Sequence, residues 1–377
     1  MSPAPNDSPN PSPPEGEEDE APPRVRFTRR SALLAGFFIL SVVAFLYFVL
    51  PEIAGVGETW HRLETGDPWW LAIAAVAEAV SYFGHIWLFR IAFVREGTRI
   101  TWRESYEVTM AGVAATRLFS AAGAGGLALT AWAMRRWGLD RRVVAARLVA
   151  FLCLLYSVYD LALIVGGLGL YVGLFPGNAP FAMTVLPAIL AAVVLGMTLA
   201  FGLVPGDIES RLVRWADGHG VAHRLLARLS TVPASAGVGV RMAIEIARRR
   251  EAGLMGSVVW WGADVATLWA CFHAFGGDQP TIAVIVVAYF VGMIGNTLPL
   301  PGGVGGVEGG MIGAFAAFGV DFSYATVAVL AYRAFSFWLP TLPGTIAYFQ
   351  LRGTVARWGQ ERRARHAADG GPATATV

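Results

Sequence analysis

Long apolar stretches alternate along the chain with short segments crowded with arginine. Residues 31–50, 69–93, 143–171, 181–203, 253–275 and 324–349 each approach or exceed the run of about 20 apolar residues that a helix needs to cross a bilayer. Two more apolar stretches, 106–134 and 281–318, are broken near their middles by glycine, the second by proline as well. Arginine supplies direction, because loops on the cytoplasmic side carry an excess of it. Arg24, Arg26, Arg29 and Arg30 precede the first span, Arg95, Arg99 and Arg103 follow the second, and Arg135, Arg136, Arg141 and Arg142 follow the first broken stretch. A connector over 205–252 and a tail over 352–377 are also arginine-rich. The predicted topology therefore puts both termini and all these segments in the cytoplasm.

This assignment has a consequence for the broken stretches. Residues 106–134 begin and end on the cytoplasmic side, whereas 281–318 begin and end outside. Each must go in and come back. At 1.5 Å per residue the arms beside each break are short for a full crossing, so both are predicted to be re-entrant helical hairpins. The order span, span, hairpin, span occurs over 31–171 and again over 181–349 with every direction reversed. The expected fold is an all-α polytopic membrane protein built as an inverted repeat over residues 31–351, with the hairpin tips meeting near its centre.

Both breaks share a G-x-G-G tetrad: Gly123-Ala124-Gly125-Gly126 and Gly303-Val304-Gly305-Gly306. Each is followed, after a short apolar run, by Gly138-Leu139-Asp140 or Gly319-Val320-Asp321. Irregular backbone survives in a membrane only when buried in protein or lining a cavity, which makes the two tetrads the best pointer to a transporter-like site. The second break carries the sharper signal. Pro299 and Pro301 remove backbone donors and forbid a continuous helix, while Gly302, Gly303, Gly305 and Gly306 permit positive φ or close backbone approach.

Composition removes the soluble classes. A mean hydropathy of +0.53, with 55% hydrophobic and only 15% charged residues, leaves a polytopic membrane protein. The net charge of +2 carries little, although every one of the 29 basic residues is arginine. Residues 1–30 open on a Pro-, Ser-, Asp- and Glu-rich run too polar to bury a core, and are expected to be a disordered cytoplasmic tail. Cys153 and Cys271 stand alone in apolar sequence and read as packing residues. A Walker-type phosphate loop needs a lysine that this chain lacks, and no residues have metal-ligand spacing, so neither cofactor nor metal is expected.

Candidate chemistry lies in the ionisable residues within apolar stretches: Glu78, Arg117, Asp160, Asp264, Glu308 and Arg333. Each charge near a bilayer midplane costs at least about 2.5 to 3.5 kcal/mol, so such residues mark function or lock helices together as internal ion pairs. Arg117 precedes the first glycine break and Glu308 follows the second. Guanidinium groups suit the oxygens of a phosphate, and carboxylates suit an ammonium or sugar head group. A zwitterionic or amino-modified lipid head would satisfy both, and Asn296 completes the candidate binding set. Arg90 and Arg147 lie near cytoplasmic ends, where snorkelling accounts for them. His85 and His273 read as packing histidines.

Pro301-Gly302-Gly303-Val304-Gly305 with Glu308, preceded by Asn296, resembles the signature of the lysylphosphatidylglycerol synthase transmembrane family, the flippase-like membrane part of the multiple peptide resistance factor. The resemblance covers roughly residues 31–351, and Arg135-Arg136-x-Gly138 fits it too. It implies a bacterial inner-membrane protein that moves or handles phospholipids or lipid-linked molecules. Full-length synthases carry a cytosolic aminoacyl transferase domain after the membrane part; here an arginine-rich tail runs to Val377, so lipid aminoacylation by this chain is not expected. The leading expectation is a non-enzymatic flippase-like protein, driven downhill, by protons or by membrane potential. An integral-membrane enzyme of polyprenyl-phosphate or phospholipid, and an accessory that holds a separate transferase at the membrane, are the alternatives. Membrane lipids are the expected partners, with a separate lipid-modifying transferase and a homo-oligomer left open and nucleic acid excluded.

Overall fold

The computed structural model describes residues 65–95, 98–119, 124–203, 236–297 and 303–368. Residues 1–64 with the expected first span, Gly123, residues 204–235 of the connector, Pro299, Pro301, Gly302 and the tail beyond 368 lie outside the described residues. The described residues form helices with no strand among them. In chain order these are α1 (Pro68–Phe93), α2 (Trp102–Phe119), α3 (Ala124–Trp137), α4 (Arg141–Tyr171), α5 (Phe181–Phe201), α6 (236–248), α7 (Met255–Ala274), α8 (Ile282–Met293), α9 (Gly306–Ala317), α10 (Phe322–Arg333) and α11 (Leu339–Ala368). A 3₁₀ turn, Ile294–Thr297, extends α8, and a π turn, Ala334–Trp338, joins α10 to α11. Helices α1, α4, α5 and the continuous stretch 322–364 are long and apolar enough to cross a membrane.

Local chemistry explains where the elements start. Asp67 accepts a hydrogen bond from the Trp69 amide at 2.8 Å and Pro68 opens the first turn, so α1 begins there. It then runs antiparallel to α7: the Asp67 amide donates to Ala274 O at 2.8 Å, and the Ser81 hydroxyl to Trp260 O at 2.9 Å. Gly84 and Gly256 let the two backbones meet, because a Cβ on either would strike backbone atoms of the other helix. A second antiparallel pair is α2 with α11. The Thr354 hydroxyl donates to Glu107 at 2.6 Å, Gly344 packs on Met110 and Ala114, and Arg117 reaches Phe337.

Each broken stretch is a helical pair, α2 with α3 and α8 with α9, packed on itself. Gly126 lies against Gly112 and Thr116 in the first; Gly295 lies against Gly306, and Gly292 against Gly310, in the second. Thus small residues bring the arms of both pairs together. Gly303 and Gly305 have φ of +67° and +83°, conformations that L side chains rarely adopt.

Ion pairs and loops mark the two ends of the bundle. At one end Arg95 pairs with Glu251 at 3.7 Å, Arg357 with Glu104 at 3.3 Å, and Gly138 lies beside Arg362. Both the start of α2 and the end of α3 are therefore at the end where α11 finishes. At the other end the Thr281 hydroxyl donates to Pro176 O at 2.7 Å and Gly319 lies beside Asn178, so the start of α8 and the end of α9 are there.

One expectation about arginine needs correcting. Arg147 does not snorkel: it is buried and donates to Phe93 O at 2.7 Å and to Thr98 at 3.2 Å, stapling α4 to the end of α1. Backbone carbonyls in the last turn of α1 lack helical donors, and the guanidinium supplies one to Phe93 O. Arg90 likewise donates to Ile100 O and to Ser105, both at 3.0 Å, with its guanidinium 4.2 Å from the Trp102 ring.

Candidate functional site

Where the two helical pairs approach each other, the bundle encloses a cavity of about 770 Å³. Its lining includes Gly126 from the first pair and Asn296 and Gly303 from the second. One wall is apolar, formed by Leu148, Phe151, Leu155 and Leu163 of α4 with Leu190 and Val194 of α5. The same lining carries the charged groups of Glu78, Arg117, Asp264 and Arg333, and Asp160 of α4 adds a further carboxyl. A space lined by both charged groups and hydrocarbon suits an amphipathic molecule better than a polar solute.

Arg117 is held by backbone as well as side chain. Its Nη1 donates to Phe337 O at 2.7 Å, and its Nη2 donates to Ser336 O and to the Tyr82 hydroxyl. The π turn makes this possible. Pro340 has no N–H to offer the carbonyl four residues earlier, so Ser336 O is free to accept from Arg117. The Phe337 ring lies 5.3 Å from the Arg117 guanidinium and 4.8 Å from that of Arg333, which places one aromatic face between the two cations.

Glu308 does not line the cavity. It stands behind Arg333, whose Nε donates to Glu308 Oε1 at 2.7 Å. The other carboxylate oxygen accepts the Gly305 amide at 2.8 Å, and Glu308 sits in the first turn of α9, where the helix dipole favours an anion. The ion pair thus ties the glycine break to the last span, with side chains only 9% and 15% exposed for Arg333 and Glu308.

Asp264 Oδ2 accepts hydrogen bonds from the hydroxyls of Tyr289 and Tyr332, the latter at 3.2 Å. The Thr267 hydroxyl lies 3.3 Å from Glu78 Oε2. His85, expected only to pack, does pack between Trp260 and Phe151, with ring centroids 4.3 and 5.3 Å away. It also lines the cavity, and its Nδ1 is buried without a hydrogen-bond partner. His273, packed at a tilt against Trp269 and Trp70, lies outside the lining. Sequence reasoning passed over Tyr82, Tyr289, Tyr332 and the π turn. Proline at position 340, inside an apolar span, was the available signal for the last of these.

The sequence matches the family described as the lysylphosphatidylglycerol synthase TM region over residues 33–344. The chain belongs to this family. Every cavity-lining residue named above falls within the matched region, as does the Glu308–Arg333 pair. Curated relatives are similar in part or throughout. A UPF0104 membrane protein of Methanothermobacter thermautotrophicus is 38% identical over 96 residues, 25% of this chain and 27% of its own length. A UPF0104 membrane protein of Pyrococcus horikoshii is 30% identical over 105 residues, covering 28% and 31%. These local matches span about a quarter to a third of those relatives. Another Methanothermobacter thermautotrophicus UPF0104 membrane protein is 25% identical over 323 residues, 82% of this chain and 93% of the relative. A multi-pass helical membrane protein of the lysylphosphatidylglycerol synthase TM family is the identity these matches and the four long apolar helices establish together.

Proposed function

We propose that the chain is a flippase-like protein that passes the head group of a phospholipid or lipid-linked molecule through the cavity while the acyl chains stay against hydrocarbon. The cavity's mixed lining carries this reading: the charged side chains of Glu78, Arg117, Asp264 and Arg333 share one space with the apolar side chains that α4 and α5 contribute. Buried charges in a membrane protein cluster around substrate pathways because elsewhere each would be a net cost. An amphipathic substrate uses both surfaces, whereas a lipid-filled packing defect would need no charges. In this reading Glu78, Arg117, Asp160, Asp264, Asn296 and Arg333 contact the head group, and Glu308 positions Arg333.

The two helical pairs act as re-entrant hairpins entering from opposite membrane faces, which makes the halves 31–171 and 181–349 an inverted repeat. The support is that α2 and α3 start and finish at the arginine-rich end, while α8 and α9 start and finish at the other. By the positive-inside rule the arginine-rich end faces the cytoplasm of the inner membrane, with both termini there. The test is a bleaching assay in proteoliposomes containing fluorescently labelled phosphatidylglycerol, phosphatidylethanolamine or an aminoacylated phosphatidylglycerol. Faster exposure of one head group to an external quencher than in protein-free vesicles supports the reading, and no acceleration for any of them sinks it.

A further inference from the structure

Glu78 and Asp264 face each other across the α1–α7 contact, with their carboxyl groups within hydrogen-bond reach. Carboxylates only accept, so two ionised groups placed this way leave both facing oxygens without a donor. The hydrogen-bond pattern shows this deficit at Asp264: its Oδ2 has two tyrosine donors, whereas its Oδ1 is buried with none. Thr267 does not make up the deficit. Its single hydroxyl hydrogen is closer to Ala263 O, at 3.0 Å, than to Glu78 Oε2 at 3.3 Å.

Each element packed around the pair presents titratable or charged groups to it. On α1 Tyr82 and His85 are neighbours, and on α7 Cys271. From α2 comes Arg117, from α4 Asp160, from α8 Tyr289, and from α10 Tyr332 and Arg333. Glu308 on α9 pairs with Arg333. Among the described residues Arg117 is thus the cation left for Glu78 and Asp264, and its donors go to Tyr82, Ser336 O and Phe337 O. Two negative charges against one cation, both side chains buried, is an arrangement that a single proton between them resolves.

We infer that Glu78 and Asp264 form a proton-binding site, in which Glu78 carries the proton and donates it to Asp264 Oδ1 while the two tyrosines hold Asp264 as the anion. A proton fits better than a metal cation. Among the described residues no group of three or more His, Cys, Asp or Glu could hold a metal ion, and Asp264 Oδ2 is already taken by two hydroxyls. Release breaks one Glu78 O–H bond and passes the proton to water in the cavity, leaving a second carboxylate that faces Arg117 and the head group. Coupling of that step to lipid movement rests on the flippase reading above; the proton site itself does not.

Infrared difference spectroscopy of the purified protein in detergent tests the site without any lipid being moved. The expected result is a protonated-carboxyl C=O band at pH 7 that is lost in Glu78→Gln and, in case that variant folds poorly, also changed in Asp264→Asn. Absence of the band at pH 7 in the wild type, or its persistence unchanged in both variants, overturns the inference. Replacing sodium chloride by choline chloride at constant pH is the control: a carboxylate spectrum that changes with sodium assigns the site to a metal cation instead. In proteoliposomes with fluorescent phosphatidylglycerol, an imposed pH gradient should change the wild-type rate at least about fivefold and leave Glu78→Gln unresponsive. Lipid movement indifferent to the gradient removes the coupling while leaving the flippase reading intact; no movement under any gradient removes the flippase reading while the infrared band still decides the proton site.

Discussion

Arg117 donates from Nη1 to the Phe337 carbonyl at 2.7 Å, joining the inner end of α2 to the π turn between α10 and α11. The contact spans 220 positions of sequence and anchors the first broken stretch to the last span. A cation that fills backbone acceptors exposed by an irregular turn satisfies those carbonyls and keeps its charge in the cavity.

Replacing Arg117 by lysine should be harmful although the charge is kept. An ammonium on a flexible stem cannot reproduce a fork that serves Ser336 O, Phe337 O and the Tyr82 hydroxyl together. Loss of these charge-assisted bonds is expected to cost about 2 kcal/mol. Thermal unfolding in detergent checks this, and wild-type stability in Arg117→Lys would show that the fork contributes nothing.

The placement of the two helical pairs predicts a labelling pattern. In a background lacking Cys153 and Cys271, a cysteine at Asp140, after α3, should react only with reagent on the cytoplasmic side. One at Asp321, after α9, should react only from outside. Asp321 caps α10 through the Tyr324 amide at 2.8 Å, so its replacement should cost about 1 kcal/mol without altering topology. Labelling of both positions from the same side would rule out opposed hairpins.

The helical membrane character was legible in the sequence, for a physical reason: a helix that crosses hydrocarbon needs a long apolar run, and the runs at 69–93, 143–171, 181–203 and 324–349 return as the long apolar helices. The partners of the helices were not legible. Gly84 and Gly256 bring α1 and α7 together, yet a single glycine in an apolar helix looks the same whether it meets a helix or lipid. Arg147 misled for a related reason. Proximity to a helix end suggested an exposed charge, but three-dimensional packing covers it and gives it Phe93 O. The tyrosines around Asp264 were missed because hydroxyl partners far apart in sequence carry no periodic signal.

A pH effect on stability should appear at the end of the bundle where Glu104 meets Arg357. Burial works against ionisation of Glu104, but bonds from the Thr101 amide and hydroxyl, from Trp358 Nε1 at 2.9 Å and from Arg357 outweigh it and hold the carboxyl below the ordinary glutamate range. A lowered value in the folded state means that the stabilisation is fully present above the unfolded value of about 4.3 and is lost as pH falls through the lower folded value. Wild type should therefore lose thermal stability more steeply below about pH 4.3 than Glu104→Gln does. Parallel curves for the two proteins would show that Glu104 does not hold α11 to α2.

Glu308 and Arg333 allow positioning to be separated from folding. Glu308→Gln keeps the size and an acceptor for the Gly305 amide but removes the counter-charge of Arg333, so stability should drop by about 2 kcal/mol while the protein stays inserted. Lipid movement should be abolished, because Arg333 without its carboxylate counter-charge no longer holds its place against the Phe337 ring. Adding Arg333→Gln to this variant removes the buried cation that has lost its counter-charge and should restore most of the lost stability, yet not transport. Gly303→Val should behave differently. At φ +67°, and with Asn296 where a side chain would go, valine disturbs folding and transport together. If the double variant regains lipid movement along with stability, the pair only holds α9 to α10, and the glycine break is not the part of the protein that moves the head group.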